Sequence, residues 1–309
     1  MQSKVALIII YNHQYNKNIE IVERIYKNRF STIYHLVPFY NGDKSNVIPV
    51  YESSYYFQGY VSQGFKSFFN EGYSHYFFVA DDMILNPVIN ENNYREHLAL
   101  SEDSNFISRL STIDEAKRYW TMNLHAIMYN TQSPGVEATG QLPDYNDALA
   151  LLKKFGLVNK PLKFEYVWQT PESFKEWLEK IKKNKTFPLR YLKNKVTKKG
   201  YELSYPLVRS YSDIFVLSAA TIKQFCHYAG VFAATRLFSE LAIPTALVFS
   251  AKEIITEKDI QLRGRALWTK EGLSYLDQFE NKLENILTHF PKGQLYLHPV
   301  KLSKWNTEK

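Results

Sequence analysis

Apolar positions in the first hundred residues fall alternately into unbroken runs and helical spacings. Val5, Ala6, Leu7, Ile8, Ile9 and Ile10 form a run with no polar interruption, the pattern of a strand covered on both faces. Ile19, Val22, Ile25 and Tyr26 then recur at helical spacing. A second strand is predicted over 32–39, closing at the turn Tyr40, Asn41, Gly42, Asp43, and a shorter strand over 47–56. Residues 59–70 carry Val61, Phe65, Phe68 and Phe69 on one helical side. Tyr76, Phe77, Phe78 and Val79 form the next buried strand. Strands alternating with helices imply a mainly parallel sheet flanked by helices, a Rossmann-like α/β fold.

The stretch 86–205 is less regular. Gly135, Gly140 and Pro143 mark a loop, and amphipathic helices are predicted over 147–155 and 173–181. Order returns with a strand over 213–217, two helices over 219–228 and 231–241 separated near Gly230, a strand over 244–249, a long helix over 275–287, and a terminal strand at 295–298. Three segments follow: 1–100 and 206–309 as two ordered halves, with 101–205 between them as an irregular helical insertion.

The strand at 76–79 runs through Ala80 into two adjacent carboxylates, Asp81 and Asp82. In open α/β sheets the carboxyl edge is where ligands sit. Two neighbouring carboxylates repel, and a hard divalent cation removes the repulsion while leaving positions for substrate phosphates. The plainer reading is an acidic turn in which Asp82 caps a downstream element. Tyr11, Asn12 and His13 follow the first strand, and Tyr40 and Asp43 the second, so both loops belong at the edge of Asp81. Gln58 and Gln63 open the helix before the acidic pair. Each is individually ordinary loop or helix chemistry; together they could line a nucleotide site. Tyr11 to Gln14 occupies the place of a Gly-rich phosphate loop, which argues against a dinucleotide or P-loop site.

Composition narrows the class. At 309 residues the chain fits one large domain or two moderate ones. Its 23 Tyr and 20 Phe suit both a core and a sugar or nucleotide cleft. A single cysteine, Cys226, excludes an internal disulfide framework and fits a reducing compartment. The early apolar run is too short for a signal core or membrane span, so the expectation is a cytoplasmic protein, or one peripheral on the cytosolic membrane face. The net charge of +7 is concentrated in 180–199, where Lys180, Lys182, Lys183, Lys185, Arg190, Lys193, Lys195, Lys198 and Lys199 are joined by no acid. This stretch is either a solvated surface or a contact for an anionic membrane or phosphorylated acceptor. No nucleic-acid module surrounds it.

With these residues in view, the chain resembles GT-A-fold, nucleotide-sugar-dependent glycosyltransferases, over about residues 5–301. Asp81 and Asp82 resemble the second and third positions of that fold's DXD motif, with Ala80 in the first. Ser212, Asp213, Ile214, Phe215 and Val216, followed by Glu240, Leu241, Ala242, Ile243 and Pro244, resemble the acceptor-side half. His298 resembles the C-terminal histidine that completes the metal site. The resemblance implies Mn²⁺ or Mg²⁺ held by Asp82 and His298, Asp81 beside the nucleotide, Glu240 as catalytic base with Asp213 as the other candidate, a UDP-linked sugar donor, and a glycan or glycolipid acceptor. Glu240 as a helix-surface glutamate, Asp213 as a strand-start residue and His298 as a packed ring remain the structural alternatives. A nucleotidyltransferase making nucleotide sugars and a non-catalytic glycan- or nucleotide-binding module also stay open.

Overall fold

The computed structural model of the chain describes residues 4–116, 119–169, 171, 173–183, 185–197 and 200–307. The strands are β1 (Lys4–Ile10), β2 (Ile33–Pro38), β3 (Val47–Val50), β4 (Tyr73–Ala80), β5 (Ile84–Leu85), β6 (Ser104–Ile107), β7 (Ser111–Thr112), β8 (Val208–Arg209), β9 (Ile214–Ser218), β10 (Glu253–Ile255), β11 (Arg263–Ala266) and β12 (Gln294–His298). The helices are α1 (Asn16–Tyr26), α2 (Gln58–Phe68), α3 (Tyr94–His97), α4 (Met122–Met128), α5 (Tyr145–Lys154), α6 (Phe164–Val167), α7 (Phe174–Lys183), α8 (Phe187–Thr197), α9 (Ala219–Ala234), α10 (Ser239–Ser250), α11 (Lys270–Ser274) and α12 (Leu283–Thr288).

A seven-stranded sheet, ordered β10-β6-β9-β4-β1-β2-β3, forms the centre. Its neighbours pair in parallel except β9, which runs antiparallel to both β4 and β6. The sheet is thus mostly parallel, α/β and compatible with a Rossmann-like fold. It draws strands from all three segments distinguished in the sequence, including β6 from the middle one.

The unbroken apolar runs are explained by layers on both faces. Along β1, Ala6, Ile8 and Ile10 enter one core while Val5, Leu7 and Ile9 enter the other. Because side chains alternate along a strand, a two-sided burial leaves no polar period to read. Phe78 of β4 stacks on Phe215 of β9, ring centroids 4.5 Å apart. Helices α2, α9 and α10 bury Val61, Phe225 and Leu247 against that face. Helix α1 buries Ile19, Val22 and Ile25 on the other, where Leu276 and Ile286 also pack. No helix among the described residues is long and apolar enough to cross a membrane.

Four local expectations are corrected. Residues 244–249, expected as a strand, lie inside α10, where every residue from Leu241 to Phe249 is buried. A helix buried all round loses the 3.6-residue polar period and reads like a core strand. The two helices expected around Gly230 are the single helix α9, which continues through it to Ala234. The long helix over 275–287 is a 3₁₀ turn at Tyr275–Phe279, left-handed residues Glu280 and Asn281, and then α12. The strand expected over 47–56 ends at Val50, and a 3₁₀ turn covers Ser54–Tyr56.

Candidate active site

The sheet places the acidic pair at a topological switch. From β1 the chain passes to β2 and β3 on one side, and then to β4 on the other. In open α/β sheets ligands bind outside the carboxyl ends of the strands at such a switch. Asp81 N–H donates to Ile10 O (2.9 Å), and Asn12 N–H points at Asp81 Oδ1 (3.4 Å). Asp81 is buried. Burial first, and the charge of Asp82 second, push its carboxyl from 3.8 up to about 7, against hydrogen bonds from Asn12 and Asn18.

Because β9 is antiparallel, Asp213, the residue immediately before it, arrives at the same edge, and Ala80 N–H donates to Asp213 O (2.9 Å). The imidazole of His298 comes from the end of β12. That strand is fixed by pairing antiparallel to β5, which follows the acidic pair directly, and Val300 N–H donates to Asp82 O (2.6 Å). His298 Nε2 lies 2.8 Å from Asp82 Oδ1, and His298 Nδ1 lies 4.0 Å from Asp213 Oδ2. Burial opposes a charged ring here, but Asp213 and Asp82 outweigh it and hold the His298 pKa above its ordinary value. Asp213 is raised in turn, by burial first, with His298 opposing and Asp82 adding to the rise.

Glu240 stands in the first turn of α10. Its carboxyl is pushed from 4.5 to about 7 by burial and then by Asp213, with Arg209 and His298 opposing. A carboxylate in a first helical turn is favoured by the helix dipole, so burial, with Asp213 adding to it, prevails over that dipole here. Pro244, four residues on, has no N–H to give the Glu240 carbonyl. Ser210 N–H occupies that carbonyl instead (3.1 Å), tying the segment before Asp213 to the base candidate.

Several residues carry no motif and were not anticipated from the sequence. Tyr211 hydrogen-bonds His298 Nδ1 and stacks on Tyr296, rings 5° from parallel. Trp268, 63% exposed, stands edge-on to His298 at 5.2 Å. Arg209 lies over Trp120 (4.5 Å). A cleft of ≈ 1120 Å³ opens beside them, lined by Arg109, Trp120, Arg209, Tyr211, Glu240 and Trp268 among others. Glu257 pins its floor, accepting hydrogen bonds from Ser108 Oγ, Gly264 N–H (3.0 Å) and Tyr296 Oη (3.3 Å). The one available sequence signal was position: Tyr211 and Ser212 immediately precede Asp213.

Gly264 shows how tight this floor is. A methyl there would meet the Tyr296 ring at 2.1 Å. Gly264→Ala should displace Tyr296, and through its stacking partner Tyr211 disturb the bond to His298. Chemical denaturation should show a loss of about 1–3 kcal/mol, the usual cost of overpacking. An unchanged midpoint would show that the ring can yield freely.

The remaining candidates divide. His13 and Asp43 are exposed, and Asn12 and Tyr40 half-buried, at the edge of β1 and β2. Gln14 Nε2 donates to Phe39 O (2.9 Å), joining the two loops. Tyr11 instead turns into the core and shares a hydrogen bond with His35 Nδ1 (3.0 Å). Gln63 accepts from Tyr51 N–H (2.8 Å), and buried Gln58 donates to Leu237 O (2.7 Å). The structure thus brings Asp81, Asp82, Asp213, Glu240 and His298 into one neighbourhood and commits Tyr11, Gln58 and Gln63 to structural bonds.

Among the described residues no three His, Cys, Asp or Glu side chains form a ready metal cage. The donor set nonetheless fits a hard cation with few protein ligands. In this structure the pair is joined by a hydrogen bond, 2.8 Å between Asp82 Oδ1 and His298 Nε2, so an ion would take the place of the shared proton and bind the neutral imidazole. Tyr211 would then hold Nδ1 and set the ring's tautomer. No protein-family model and no curated protein matches the chain.

Proposed function

We propose that the chain is a metal-dependent glycosyltransferase that moves a sugar from a UDP-linked nucleotide sugar to a glycan or glycolipid acceptor. The observation that carries this reading is the meeting of Asp82 and His298, 216 positions apart in the chain, at the carboxyl edge of the sheet and next to Asp213. Such a convergence of titratable groups at the carboxyl edge of a sheet is a functional-site signature.

Asp82 and His298 would hold Mn²⁺ or Mg²⁺. When bound, the ion supplies Lewis-acid neutralisation of the diphosphate leaving group. Asp81, Asn12, His13, Tyr40 and Asp43 lie along the edge where nucleotide and ribose would rest. The cleft lined by Trp268 and Glu240 suits the acceptor: an exposed indole offers a face for a sugar ring, and a carboxyl near neutrality is matched to taking a hydroxyl proton. Asp213, mostly buried beside His298, is better placed to orient that ring than to meet an acceptor.

The test is a panel of UDP-, GDP-, TDP- and CMP-sugars assayed for metal-dependent hydrolysis, with calorimetry of the matching nucleotides with and without Mn²⁺. Metal-dependent binding and slow donor hydrolysis are expected for one nucleotide class. Binding without turnover would leave a glycan- or nucleotide-binding module, and nucleotide binding absent under both conditions would refute the proposal.

A further inference from the structure

Helices α7 and α8 pack against each other and leave an unusual surface open. On α8, Leu189, Leu192 and Val196 are 73%, 56% and 79% exposed. Their spacing of three and four residues puts them on one stripe of the helix. On α7, Phe174 and Leu178, four residues apart, are also exposed. Monomeric soluble domains seldom leave several large apolar side chains together on so short a segment. Exposed Lys182, Lys185 and Lys193 accompany the stripe. The whole stretch 180–199 has nine basic residues and no acid.

We infer that this face docks on an anionic lipid bilayer surface. Aliphatic side chains at the level of the acyl boundary, with lysines reaching out to headgroup phosphates, are the chemistry of an interfacial helix. The charge selects the occupant. A second copy of the chain on a two-fold axis would set this basic surface against itself. A nucleic acid would use the lysines but gain nothing from Leu178, Leu189, Leu192 and Val196; of these exposed apolar side chains Phe174 alone offers a ring for base stacking. Neither helix is long and apolar enough to span, so the contact is peripheral. The docking face does not depend on the transferase reading, and its test needs no substrate.

The full chain should be sedimented with phosphatidylcholine vesicles, with and without phosphatidylglycerol, across a salt series. Binding to the anionic vesicles should exceed binding to neutral ones by about tenfold or more. It should weaken with salt, as expected for charges screened over ~8 Å at physiological ionic strength. Two variants separate the contributions. Leu189→Ser with Leu192→Ser and Val196→Ser should lose binding even at low salt. Lys182→Gln with Lys185→Gln and Lys193→Gln should lose the preference for anionic lipid. Both should keep the parent's circular dichroism, since these side chains are exposed. No vesicle binding at low salt, or undiminished binding by the aliphatic variant, would overturn the inference. So would a dimer in light scattering that the aliphatic variant dissolves, or an RNA affinity without vesicle binding.

Discussion

Asp82→Asn is expected to lower metal-dependent turnover by at least about a hundredfold, the scale of removing a group that stabilises leaving-group charge. Fold should be retained, because Asp82 sits on a turn with a partly exposed side chain, and its backbone carbonyl, which Val300 uses, is unchanged. A second readout is independent of activity. Asp82 is one of the groups that raise His298, through both its hydrogen bond and its charge. Neutralising it should move the His298 imidazole titration downward in NMR. Full activity in the variant would remove Asp82 from the site. A stationary His298 titration would contradict the contact between them.

Glu240→Gln should cut turnover by about 10²-fold or more while leaving donor affinity nearly unchanged, because a base faces the acceptor. The pH profile sharpens the test. A base must be deprotonated to act, so with its carboxyl pushed up to about 7, the parent's rate should fall as pH drops through about 7. The Gln variant should lack that limb. The same shift has a stability sign. A carboxyl raised in the folded state favours folding at low pH, and that contribution is lost as pH rises from 4.5 through about 7. Glu240→Gln stays neutral throughout and should therefore gain stability relative to the parent above that window, as read by urea denaturation on either side of it. Normal turnover in Glu240→Gln would assign the proton to another group.

These two residues also divide what could be read early from what could not. The chain pattern located β1, β4, β9 and β12 because each is a run of apolar residues long enough to be a strand and too short to be a span. It placed Asp81 and Asp82 at a carboxyl edge because that follows from the alternation of strands and helices alone. It named His298 and Glu240 through resemblance, with no local signal for what either would touch.

Where periodicity was erased, the reading failed. Residues 244–249 look like a core strand because α10 is buried on every side, and only packing against neighbouring elements makes it a helix. Strand β6 is not legible, since Ser104 and Asn105 are polar residues buried by pairing rather than by hydrophobicity, and β10 is a short, partly exposed strand with no apolar run of its own.

Local sequence sets burial period, turn chemistry and charge density, and so determined the α/β class, the acidic edge and the basic stretch of this protein. The reversed direction of β9, which delivers Asp213, and the return of β12 to β5, which sets His298 2.8 Å from Asp82, were decided by tertiary structure alone. Contacts across 216 positions arise from which strands pair, and a strand's own residues do not specify its neighbour.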